Sequence, residues 1–354
     1  MNTTATMTSE SACVDQAIFT SVRSPTGAGY RIIAASPAVN RQEKAEIIRR
    51  APSHASLDRP DPDAAALLAF PIGTDRYCVG LSQHAGKEHT ARGGERVYTH
   101  FVILNRQDYE LFGTHPLTVQ TALSTAVGGA PQLKPPPSLE QLTLRTPPKP
   151  MRVQNCHVAP YCNVPAVLRI CQAMLQGEKL LVTDPVEGCH LLDQTMTCLP
   201  AAVRRGLAVS IGLKFSPGRR LQLCIVRQGE SQTRMAPSGM KARWLDAANP
   251  PNRTQSRYDA WLNLIEHHLE SGRLMEMRHL TAEMTEDACP ESLTRIATLC
   301  LDIDAVAKAQ PNELDRLLAR HSQTPATQPA EARLLRQFHE AAEQRANAFQ
   351  KPHN

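Results

Sequence analysis

Aromatic residues are scarce: Phe, Trp and Tyr together make up only 4% of the 354 residues. Any core must therefore be built mostly from Leu, Val, Ile and Ala. A surface for single-stranded nucleic acid is also disfavoured, because base stacking needs rings. Long apolar runs are missing too; none approaches the roughly 20 residues of a membrane-spanning helix. The stretch from Met1 to Ser11 is rich in Thr and Ser and lacks the apolar centre of a secretory signal. These absences lead to the expectation of a cytoplasmic protein whose 10 cysteines are reduced and mostly small core fillers.

Several catalytic signatures are absent as well. There is no Gly-x-x-x-x-Gly-Lys-Ser/Thr run, so the chain is not itself a P-loop NTPase by that test. There is no Gly-x-Ser-x-Gly elbow to activate a serine. Thr26-Gly-Ala-Gly29 falls short of a dinucleotide fingerprint, because the third glycine is missing and a strand follows where a helix should begin. No Cys-x-x-Cys pair occurs; Cys156-His157, Cys162, Cys171, Cys189-His190 and Cys198 are spaced poorly for zinc. His267-His268 are adjacent rather than four apart as a zincin requires, which favours a solvated helix face. No metal and no cofactor are expected.

What remains is an ordinary folded composition: 42% hydrophobic, 21% charged, net charge +5. The 34 acidic and 39 basic residues are well mixed, which argues against a nucleic-acid-binding face.

The fold class expected is α+β: two mixed α/β domains followed by a helical C-terminal region. Residues 1–12 read as a disordered lead. An N-terminal domain over 13–127 carries strands at Ala17–Val22, Tyr30–Ala35, Leu67–Ile72, Arg76–Gln83 and Val97–Leu104. Asn40 and Glu43 form a capping box opening a helix through Arg50. Val97–Leu104 is apolar on both faces and should be central in its sheet. Residues 128–150 are rich in proline and read as a linker. A middle domain over 151–230 has helices near 164–175 and 188–199 and a strand at Lys179–Thr183. It also has a half-buried strand at Ala208–Phe215, which Ser216-Pro-Gly218 turns into a partner at Leu221–Arg227. Residues 231–321 are helical, and 322–354 form a linker and a terminal amphipathic helix.

The most distinctive segment is His84–Leu104, where basic and titratable side chains surround Gly93-Gly94 before an apolar strand. Glycine-rich loops held by rigid strands often carry binding sites. Lys87, His89, Arg92, Gly93, Gly94, Arg96 and His100 are the candidate ligand- or partner-binding residues. The arginines can make forked bonds to phosphate or carboxylate, and the glycines can expose backbone amides to an anion. The competing reading is a solvated hairpin tip, with His100 a hydrogen-bonded strand histidine.

The ordered series Asp15–Val22, Gly29–Ser36, Glu43–Ile48, Tyr77–Gly80, Arg92-Gly-Gly94 and Tyr98–Leu104 resembles the N-terminal domain, type 2, of bacterial GTPase-associated proteins. Leu199–Phe215 looks like that family's middle domain. The resemblance implies a non-enzymatic adaptor that works with a separate GTPase in a multi-gene conflict or immunity system. It carries over no catalytic residues. The alternative is a hydrolase or nucleotide-processing enzyme using His89 or His100 as general base and Arg92 or Arg96 to hold an anion.

Overall fold

The computed structural model describes residues 10–24, 27–59, 61, 64–88, 94–128, 130–147, 163–184, 188–227, 242–286, 288–322 and 325–350. The chain divides into two compact units, Met1–Met196 with Arg204–Pro251, and Thr197–Val203 with Asn252–Asn354. The class is α+β, with a mixed sheet and a helical C-terminal region.

The first unit is organised by a ten-stranded sheet. Its strands are β1 (Ser11–Ser24), β2 (Gly27–Ala35), β3 (Ala65–Ile72), β4 (Arg76–Lys87), β5 (Glu95–Asn105), β6 (Leu142–Arg145), β7 (Lys179–Asp184), β8 (Val209–Ile211), β9 (Leu223–Arg227) and β10 (Ala242–Asp246). The order is β10-β7-β9-β8-β3-β4-β5-β1-β2, with β6 paired to β1. One half is antiparallel, and the other, β8-β9-β7-β10, is parallel. The antiparallel pair β3–β8 joins the halves, matching Leu67 with Ile211 and Ala69 with Val209. The proline-rich stretch that separates the two groups of strands in sequence therefore does not separate them in the sheet.

Local chemistry explains the best-defined elements. Helix α1 (Arg41–Arg50) opens with the expected capping box: Asn40 Oδ1 accepts from the Glu43 amide at 2.9 Å, and the Asn40 amide donates to Glu43 Oε2 at 3.0 Å. Gly73, at φ +61°, begins the three-residue turn between Ile72 and Arg76. Strand β5 is buried from Val97 to Leu104 because β4 and β1 flank it and both faces are covered. Ala17, Phe19, Phe70, Phe101 and Ile103 pack into the main core on one face.

Some elements differ from the sequence reading. Strand β1 begins at Ser11, because Ser11–Val14 pair with β6 inside the stretch read as linker. Leu142 and Leu144 alternate there between Pro137 and Pro147, which leaves room for a short strand. Strand β8 is only Val209–Ile211 and is wholly buried, since β3 and β9 hydrogen-bond it on either side. Its partner β9 runs parallel to it, so residues 212–222 form a crossover and not a hairpin. Helices α2 (Arg106–Leu111) and α3 (Pro116–Val127) were not anticipated. The latter has Pro116 in its first turn and Gly128 at φ +68° as its cap, both ordinary boundary signals. Helices α4 (Val164–Leu175), α5 (Cys189–Cys198) and α6 (Ala201–Arg204) follow.

The second unit is a bundle of α7 (Asp259–Glu270), α8 (Leu274–Glu283), α9 (Pro290–Val306), α10 (Pro311–His321) and α11 (Pro329–Gln350). Trp261, Ile265, Leu293, Ile296 and Phe338 are fully buried in it. The Trp261 indole donates to the Cys198 carbonyl at 3.3 Å, satisfying its one donor. Among the described residues, no helix is long and apolar enough to cross a membrane.

Candidate interaction site

The candidate segment is the far end of the β4–β5 hairpin. The ladder runs regularly from Arg76↔Asn105 to His84↔Val97, then shifts so that Lys87 faces Glu95. Ala85 and Gly86 thus oppose the single residue Arg96, which is a β-bulge. Gly86 takes φ +81° there, a conformation that favours glycine. The Arg96 guanidinium folds back on the bulge, and its Nε donates to the Ala85 carbonyl at 2.9 Å. Arg96, read from sequence as a ligand contact, thus serves at least in part to close its own hairpin.

Beyond the bulge the strands are tied by the Glu88 amide, which donates to the Gly94 carbonyl at 3.0 Å. Gly94 has φ +97°, and a Cβ there would sit 2.5 Å from His54 Cε1. A side chain at 94 would have to displace that imidazole and adopt a backbone conformation that favours glycine. His89, Arg92 and Gly93 lie outside the described residues. Lys87 and Gly94 are exposed, as is the Glu95 side chain.

The base of the hairpin holds a polar cluster that the sequence reading missed. His84 has an oxygen at each ring nitrogen: Glu95 Oε2 is 2.7 Å from Nδ1, and the Arg59 carbonyl is 3.1 Å from Nε2. Tyr30 and Ser21 pair across β1 and β2. The Val97 amide donates to the Tyr30 hydroxyl at 3.0 Å, and the Ser21 hydroxyl donates to Glu88. Burial, reinforced by the nearby Glu88 carboxylate, pushes the Tyr30 phenol well up, so it stays protonated. Nothing in local sequence links Tyr30 to Glu88; the antiparallel register brings them together.

His100 stands apart from this cluster. It is six residues along β5 from Gly94, about 20 Å at the usual strand rise. It is buried, and Nε2 lies 2.7 Å from Gln16 Oε1. Burial lowers its pKa to about 4, so it is neutral near pH 7.

Cys171, Cys198 and Cys224 are buried, and burial pushes the Cys224 thiol up to about 11. Cys156, His157 and Cys162 lie outside the described residues. Among the described residues, no three His, Cys, Asp or Glu side chains are grouped to hold a metal ion. His268 is buried, not on a solvated face, while its neighbour His267 meets Asp304 at 3.0 Å.

Residues 13–142 match the family described as GTPase-associated protein 1, N-terminal domain type 2. The match begins in β1 and ends at the start of β6, two strands that pair with each other, and it contains the whole β4–β5 hairpin. The similarity to that domain is confined to this stretch of the first unit. No curated protein matches the chain.

Proposed function

We propose that this protein is a non-enzymatic interaction component that works beside a separate GTPase in a bacterial multi-gene conflict or immunity system. The observation that carries the reading is the family match over residues 13–142, a family whose name records association with a GTPase. In this reading the end of the β4–β5 hairpin is the contact. Lys87, His89, Arg92, Gly93, Gly94, Arg96 and His100 fall into two roles. Residues 87–96 form or support the contact surface, and His100 stiffens the strand behind it. Two features of the hairpin favour a contact role over a catalytic one. Arg96 is engaged by its own backbone, and His100 is a buried neutral imidazole hydrogen-bonded to Gln16. Exposed charge on a bulged hairpin suits recognition by a partner, where rim charges set the association rate more than the affinity.

The test is a photo-crosslinking amino acid placed at position 87 of the full chain in its native host. The reading expects the crosslinked product to contain peptides of a GTPase. Crosslinks to this chain alone would contradict it.

A further inference from the structure

The helical unit contains a cleft of about 450 Å³ walled by α7, α8, α9 and α11. Its apolar lining is Leu280, Ile303 and Leu334. Burial pushes the Cys300 thiol beside them up to about 12.

The polar lining is unequal in what it has left to offer. Arg273 spends its donors on neighbours: Nε on Ser271 Oγ at 3.1 Å, Nη1 on Asp304 Oδ1 at 3.0 Å and Nη2 on Asp304 Oδ2. Arg333 donates from Nε to Glu283 at 2.9 Å and from Nη1 to Gln337 at 3.1 Å. The carboxylates keep acceptor capacity, since each ionised group has about four lone-pair sites. Glu276 approaches Arg273 at 3.6 Å, and its side chain is 62% exposed. Three carboxylates, Glu276, Glu283 and Asp304, face two guanidiniums in the lining. At depth, His268 is 5% exposed, and its buried Nδ1 has no hydrogen-bond partner among the described residues. With its guanidinium donors already engaged and one carboxylate more than guanidiniums, the cleft has acceptor capacity left for a further cationic donor.

Spacing narrows the class. Glu276 and Glu283 lie two turns apart on one face of α8, about 10 Å along the axis, with Leu280 between them. We propose that this cleft binds a linear aliphatic polyamine. Its cationic nitrogens meet Glu276 and Glu283, its methylenes lie on Leu280 and Ile303, and His268 Nδ1 accepts a bond from an inner N–H.

The experiment is calorimetric titration of the full chain with spermidine, 1,4-diaminobutane and Mg²⁺ at fixed ionic strength. Spermidine should bind at one site, about tenfold tighter than either other cation, because only it reaches both carboxylates and buries methylenes. The Glu276→Gln/Glu283→Gln variant should weaken it by about tenfold. Glu276→Gln alone, at a largely exposed position, should weaken it by a smaller factor with the fold intact by circular dichroism. Glu313→Gln on α10, outside the cleft, should leave it unchanged. Equal affinity for Mg²⁺ would mean charge screening and would overturn the proposal. So would multi-site binding, absence of binding, or an effect of Glu313→Gln matching that of Glu276→Gln.

Discussion

His100 on β5 and Gln16 on β1 are tied across the sheet, with imidazole Nε2 2.7 Å from the amide Oε1. They are diagonal neighbours on one face, since Ile18 faces His100 and Gln16 faces Val102. The Gln16 amide nitrogen in turn donates to the Glu140 carbonyl at 2.8 Å. A neutral His100 donates from Nε2 to Gln16, completing a chain of side-chain hydrogen bonds from the sheet interior to residue 140.

This pair makes stability depend on acid. An unfolded histidine titrates near its usual 6.5, whereas burial holds folded His100 at about 4. The unfolded state therefore takes up the proton first as pH falls. The contribution is intact above about pH 6.5 and is lost progressively down to about pH 4, by about 3 kcal/mol in full. His100→Gln removes this component. In urea titrations at pH 7 and about pH 4.5, wild type should lose about 2 kcal/mol more than the variant. Equal losses would show that another group carries the acid response.

Arg76 bridges two carboxylates, meeting Glu43 at 2.8 Å and also pairing with Asp15. Glu43 is 2% exposed and also completes the α1 cap. Arg76→Leu strands both charges and should cost about 3 kcal/mol. Asn40→Ala removes only a capping bond and should cost about 1 kcal/mol. Chemical denaturation of the two variants checks the ranking.

Gly94 is constrained twice, by φ +97° and by His54 against its missing Cβ. Gly94→Ala should destabilise by about 1–2 kcal/mol. His54→Ala in the same chain should recover the steric part and leave the backbone part. A double-mutant cycle measures the split, and strict additivity would mean the imidazole does not press on Gly94.

Trp261 is fully buried with its indole bonded to Cys198. Trp261→Ala should cost about 3–5 kcal/mol through the cavity left in the helical unit. Thermal unfolding monitored by circular dichroism checks it.

Periodicity and turn chemistry made much of the fold legible. The Asn40/Glu43 box and the doubly apolar 97–104 strand each rest on local rules, and each appears as read. Strand direction was not legible, because a short stretch such as Ser216–Gly218 serves a crossover as well as a hairpin. The joining of β3 to β8 depends on contacts between residues far apart in sequence. The candidate hairpin was visible in composition, but its supports were not. Tyr30, Ser21 and His54 reach it only through register and loop packing. Arg96 looked like a free ligand contact because a bulge cannot be counted before the ladder is known.

The most direct test of the central claim is affinity purification of the tagged chain from its native host, with a GTP analogue or with GDP, in wild type and Lys87→Glu. The account expects wild type to recover a GTPase in a nucleotide-dependent manner and the variant to recover much less of it. Recovery of the chain alone under both nucleotides, or equal recovery by the variant, would contradict it.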